Sequence, residues 1–212
     1  SLHDALPIFA KANGVPAAGG TAVYATAPFH RARVLWAQHC ESCHEGDDRK
    51  GPLIGPGYND RAWIRGMLTD PSGDAYFGRT KLAKSEEAMP AAEVTGAELD
   101  ALVEMVYAET GASDVDAKLA ARGVELFSEQ PCGDCHERTG DASSSGPNLA
   151  GRGTVAYLKS FIGDTGQARF FGEKHEMPRM VEELGPDDLQ RLAEWIVWLR
   201  TATPADVERL DD

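Results

Sequence analysis

All four cysteines of the chain fall into two five-residue clusters, Cys40-Glu41-Ser42-Cys43-His44 and Cys132-Gly133-Asp134-Cys135-His136. Each reads Cys-x-x-Cys-His, the attachment pattern of c-type haem. The spacing has a mechanical reason. On a helical turn, positions i and i+3 share a face, so two thiols there reach the two vinyl groups on one porphyrin edge. The following His then sets an imidazole nitrogen against the iron. A single structural zinc would use the thiols, but it leaves the His after both pairs unexplained and requires distant pairs to converge. A thioredoxin-like redox pair lacks its strand–helix–strand surroundings, and ordinary disulfides give the histidines no role. Cys40, Cys43, His44, Cys132, Cys135 and His136 are therefore expected to hold two covalent haems c, with His44 and His136 as proximal iron ligands.

A haem iron takes a sixth ligand or keeps an open position, and Met or His is the usual electron-transfer choice. Each cluster is followed by a Met-Pro pair, Met89-Pro90 and Met177-Pro178. Proline fixes the backbone and lacks an N–H, so it stiffens a ligand-bearing loop. A lone Met is ordinarily core filler, but two Met-Pro pairs in matching positions predict Met89 and Met177 as iron ligands. Met67, Met105 and Met180 lack that position and read as packing residues. His175 is a weaker rival ligand, His39 immediately precedes Cys40 and so has the wrong direction for the same iron, and His30 has no supporting context. No catalytic residue is assigned.

The two halves repeat. Ala62-Trp63-Ile64-Arg65-Gly66-Met67-Leu68-Thr69-Asp70 aligns with Ala156-Tyr157-Leu158-Lys159-Ser160-Phe161-Ile162-Gly163-Asp164, and Tyr76-Phe77-Gly78 with Phe170-Phe171-Gly172 at the same offset. Gly55-Pro56 corresponds roughly to Gly146-Pro147. Helical stripes close both halves: Leu99, Leu102, Val103 and Val106, then Leu189, Leu192, Ala193, Ile196 and Leu199. Opening helices are expected over 29–38 and 117–127. Strand signals are nearly absent, so the fold class is all-α, with two tandem domains each wrapped around one covalent haem c. The expected boundaries are an N-terminal extension at 10–28, a first domain at 29–110, a linker at 111–116 and a second domain at 117–212. Leu53, Trp63, Leu149 and Tyr157 are expected apolar contacts of the haems.

Composition removes other classes. Lys and Arg number 21 against 34 Asp and Glu, a formal charge of −13, which repels phosphate backbones and argues against nucleic-acid binding. No run of about 18 apolar residues occurs within the segment, so it holds no membrane-spanning helix. Residues 1–9 read as a translated sequencing adapter rather than native protein, and a missing upstream segment could carry a signal or a membrane anchor. Attachment of haem c implies the periplasmic side of the bacterial inner membrane, where free thiols would otherwise oxidise. Acidic stretches at 45–48, 182–183 and 187–188 read first as solvated surface, and second as steering charge for a cationic partner.

With these motifs the chain resembles a dihaem class I cytochrome c. More narrowly, it resembles the dihaem cytochrome c subunit, or fused c domain, of bacterial cytochrome bc (quinol–cytochrome c reductase) complexes. The narrower likeness rests on Gly14-Val15-Pro16, Tyr76-Phe77-Gly78-Arg79-Thr80-Lys81-Leu82 and Phe170-Phe171-Gly172-Glu173-Lys174-His175-Glu176-Met177-Pro178. The resemblance implies an electron-transfer subunit of a respiratory complex, not an enzyme by itself. Its implied donors are the Rieske iron–sulfur protein or cytochrome b, and its implied acceptors a cytochrome c or an oxidase. Membrane association would run through the complex. The rival functions are a dihaem peroxidase-like enzyme and a haem sensor, and both need an open iron.

Overall fold

Several helices begin where a side chain takes up the free N–H groups of the first turn. In the computed structural model, which describes residues 21–140, 144–174 and 176–211, Asp60 accepts from the Trp63 N–H at 2.7 Å and opens α3, Arg61–Thr69. Thr154 does the same for Tyr157 at 3.2 Å, opening α6, Val155–Gly163. Asp116 accepts from Lys118 and Leu119, each at 3.0 Å, opening α5, Ala117–Glu129. The remaining helices are α1, Thr21–His39, α2, Glu41–His44, α4, Gly96–Glu109, α7, Pro186–Leu199, and α8, Pro204–Asp211. Among the described residues there is no strand, so the fold is all-α. No helix of the described residues is long and apolar enough to cross a membrane.

The repeat is structural as well as sequential. Phe77 N–H donates to Pro71 O and Gly78 N–H to Gly73 O, while Phe171 N–H donates to Thr165 O and Gly172 N–H to Gln167 O. The same turn therefore presents Tyr76 edge-on to Trp63 and Phe170 edge-on to Tyr157, with centroids 5.4 and 5.1 Å apart.

Packing does not follow the sequence halves. One core joins α1 to α6, α7 and α8, with Leu35, Trp36 and Cys40 buried among Leu158, Ile162, Leu192, Trp195 and Ile196. The other joins α3, α4 and α5 through Ile64, Leu102, Met105, Val106 and Leu126. The opening helix of the first half thus lies on the closing helix of the second, and the opening helix of the second on the closing helix of the first. Phe29 stacks on Trp198 at 4.9 Å, Arg31 pairs with Asp188 at 2.9 Å, and His30 Nδ1 lies 2.9 Å from Leu210 O. Separate cores for 29–110 and 117–212 were expected, and the short linker explains the difference. The chain passes from α4 to α5 through residues 110–116, turning at Gly111, at φ +72°. Connections this short place consecutive helices side by side, which leaves the apolar face of α1 for α7.

One boundary also moves. α1 begins at Thr21, so the last part of the expected extension is helix. The expected adapter at 1–9 lies outside the described residues, as do positions 10–20 and His175.

A buried carboxylate ties the second core together. Glu104, with 4% of its side chain exposed, accepts from Arg61 Nε at 2.6 Å and Nη2 at 2.8 Å, and from the Asp116 N–H at 2.7 Å. The Arg61 guanidinium, helped by that N–H, holds the Glu104 carboxyl below the ordinary carboxylate range despite burial. A depressed folded-state pKa contributes stability that is complete above the unfolded value of about 4.3 and is lost as pH falls through the lower folded value. Glu104→Gln is expected to cost about 2 kcal/mol at neutral pH and to flatten the acid limb of stability. Urea titrations from neutral to acid pH read both; parallel curves for the two proteins would dismiss the coupling.

Candidate functional site

Both Cys-x-x-Cys-His clusters form a single helical turn. Cys43 and His44 N–H groups donate to Cys40 O at 3.0 and 3.1 Å, and Cys135 and His136 N–H groups to Cys132 O at 3.3 and 3.0 Å. The first cluster is α2; the second starts in a 3₁₀ turn, Pro131–Asp134, directly after α5. All four thiols are free. Among the described residues no group of three or more His, Cys, Asp or Glu side chains gathers as a metal site, so the two pairs do not converge on one ion as a zinc site would require. Burial pushes the Cys40 thiol up to about 12.

The two histidines are held identically. His44 Nδ1 lies 2.8 Å from Pro52 O, and His136 Nδ1 2.8 Å from Pro147 O. A carbonyl only accepts, so Nδ1 carries the proton and Nε2 keeps its lone pair for a metal. Burial lowers both imidazoles below their ordinary pKa, which keeps them neutral as ligands must be. A glycine precedes each proline. A Cβ on Gly51 would lie 2.9 Å from the His44 ring, and one on Gly146 2.7 Å from the His136 ring. The true partner of Gly146-Pro147 is therefore Gly51-Pro52, not Gly55-Pro56. The spacing to the histidine differs between the halves, which displaced the sequence alignment.

His44 faces an apolar cavity. Its first-half wall is Trp36, Cys40, Ile54 and Tyr58, and its second-half wall includes Leu158, Phe161, Met177 and Ile196. Met177 is half-buried against the first core, with its carbonyl 3.3 Å from Thr165 Oγ1. The within-half pairing expected from sequence set Met177 with His136; the structure sets it in the cavity of His44. Met89 is half-buried on the loop before α4. Met105 and Met180 are buried within the two cores.

A second, larger cavity adjoins the first through Ile54 and Tyr58, and Trp63, Trp195 and Leu53 line it. Among the described residues, the indole Nε1–H groups of Trp63 and Trp195 are buried without a hydrogen-bond partner. Such a donor costs about 1–3 kcal/mol unless something accepts from it. Haem has apolar faces, two vinyl groups and two carboxylates. Paired thiols, a proton-fixed imidazole, apolar walls and two waiting donors fit that chemistry. The indoles were missed by sequence reasoning, which took Trp63 only as an apolar contact. Of the other expected contacts, Tyr157 and Leu149 are buried, the Tyr157 hydroxyl bonding Asn148 O at 3.0 Å, while Leu53 is exposed on the cavity wall. The acidic stretches have internal partners: Glu183 lies 3.3 Å from His39, Asp188 pairs with Arg31, and Glu45 accepts from the Trp36 indole.

Residues 118–196 match the family model described as cytochrome C oxidase, cbb3-type, subunit III. No curated protein and no solved structure matches the chain. The matched segment carries Cys132, Cys135, His136 and Met177, and it supports a c-type cytochrome with covalently bound haem c and an electron-transfer role. The fold divides this one segment between two cores, α5 entering the second and α6 and α7 the first.

Proposed function

We propose that this chain is a dihaem c-type cytochrome that relays single electrons within a respiratory complex on the periplasmic side of a bacterial inner membrane. The reading is carried by the duplicated ligand station, a Cys-x-x-Cys-His turn whose imidazole proton is fixed on a proline carbonyl, present at His44 and again at His136. Haem supplies a one-electron Fe(III)/Fe(II) couple when bound. The chain supplies the rest. Cys40 and Cys43, and likewise Cys132 and Cys135, anchor the porphyrin edge. Pro52 and Pro147 hold each imidazole so that Nε2 is presented. Met89 and Met177 supply the closing sulfurs. Trp63 and Trp195 offer N–H groups to carboxylates, and the apolar walls exclude water.

The resemblance to c domains of cytochrome bc complexes makes the Rieske protein or cytochrome b the donor, and a cytochrome c or an oxidase the acceptor. The family description of residues 118–196 favours a second context, a subunit of a cbb3-type oxidase. Co-purification from a native membrane separates the two, a cytochrome b partner supporting the first and a haem–copper oxidase subunit the second. The relay itself is tested by exposing the reduced, haem-loaded protein to carbon monoxide. Two low-spin haems that ignore the gas are the expected result. Rapid binding at one haem would replace the relay with a peroxidase-like or sensing role.

A further inference from the structure

We propose that the two iron sites exchange their sixth ligands between the sequence halves: Met177 closes the iron carried by Cys40, Cys43 and His44, and Met89 the iron carried by Cys132, Cys135 and His136. The inference rests on the haem reading above and adds to it which methionine serves which iron.

Three observations carry it. First, Met177 lines the same apolar cavity as Cys40 and His44. The His44 ring lies 5.7 Å from the Trp36 ring, and Trp36 lies 5.1 Å from Trp195 of α7. The turn that presents the imidazole is thus built onto second-half helices. Second, the Met177 loop is tied across the halves. Glu176 accepts from the Lys81 and Leu82 N–H groups at 2.9 and 3.2 Å, and Lys174 pairs with Glu87 at 2.6 Å. Third, the reciprocal parts lie together. The segment after Met89 is pinned by the Ala92 N–H on Leu68 O at 2.8 Å, and Val94 is buried in the core that α5 completes. From α5, Phe127 packs on that core, and its ring lies 3.8 Å from where a Cβ on Gly133, in the second Cys-x-x-Cys-His turn, would stand. Arg138, two residues past His136, pairs with Glu109 of α4 at 2.9 Å, and Glu109 also accepts from the Gly151 N–H at 2.9 Å. Each haem-binding turn therefore comes from one half and its closing loop from the other. The arrangement is an exchange of identical elements, as in domain swapping, completed within one chain.

The test uses the intact protein matured with both haems. In the reduced, diamagnetic state, the methionine methyl resonance that disappears in Met177→Ala is followed by nuclear Overhauser contacts. Contacts to the haem that also contacts the Cys40 β-protons are the expected result; contacts to the haem bridged by Cys132 overturn the exchange. A single-haem protein, Cys132→Ser with Cys135→Ser, gives an independent readout. There, Met177→Ala should lose the methionine-to-iron charge-transfer band and gain carbon monoxide binding, while Met89→Ala keeps the parent spectrum. The reverse pattern, or no change from Met177→Ala, overturns the exchange while leaving the dihaem reading intact. Intact protein that carries no covalent haem after maturation overturns both.

Discussion

Divided within the 111–116 linker and expressed as two chains, the halves are each expected to lack cooperative structure and to recover it only on mixing. The expectation follows from the cores. Alone, the first half keeps α3 and α4 but loses α5, and so exposes Leu102, Met105 and Val106, each at most 9% exposed in the whole chain. It also leaves Leu35 and Trp36 of α1 without α7. Each such side chain forfeits about 1.5–3 kcal/mol on exposure, and a handful of them exceeds the total stability of about 5–15 kcal/mol typical of a folded domain. Circular dichroism of each fragment and of an equimolar mixture reads the result. A first-half fragment that melts cooperatively by itself would show that the cores close within the halves.

The second large effect is expected at Gly123. A Cβ built there lies 2.1 Å from Ala101 O and 2.5 Å from Met105 Cβ. Helices α4 and α5 thus touch backbone to backbone, and no rotamer relieves a clash with a carbonyl. Gly123→Val must push the helices apart along the contact that holds the second core. Overpacking of this kind costs about 1–3 kcal/mol and sometimes more; here the upper end, about 3 kcal/mol, is expected. At 2–4 °C per kcal/mol for a chain of this size, the melting temperature falls by about 10 °C. The helical gain of replacing glycine by valine, a few tenths of a kcal/mol, offsets only a small part of it. Thermal unfolding followed at 222 nm decides, and an unchanged midpoint would mean that α4 and α5 do not meet at Gly123.

What was readable in advance was local chemistry. The Cys-x-x-Cys-His turns, the repeated short helix and aromatic-Gly turn, and the two apolar stripes of the closing helices all lie within one or two turns of chain, and period and spacing carry them. Helix α8 was also readable and was passed over. Thr203 and Asp206 form a reciprocal capping box, Thr203 N–H to Asp206 Oδ2 at 2.8 Å and Asp206 N–H to Thr203 Oγ1 at 3.3 Å, with Pro204 at the first helical position. The roles of Gly51 and Gly146 were hidden for another reason. Their need to be glycine comes from an imidazole folded back over them, a contact made only after the loop closes.

The sequence by itself determined the helices, the two Cys-x-x-Cys-His turns and the pair of Met-Pro steps, because each depends on neighbours a few residues away. The tertiary structure alone decided which opening helix meets which closing helix, and that Met177 lies in the cavity of His44. The two halves carry near-equivalent apolar stripes, so hydrophobic pattern fits either pairing equally well. The choice falls to the linker: the short connection over 110–116 sets α4 against α5 before any longer loop can close, and α1 and α7 take the faces that remain.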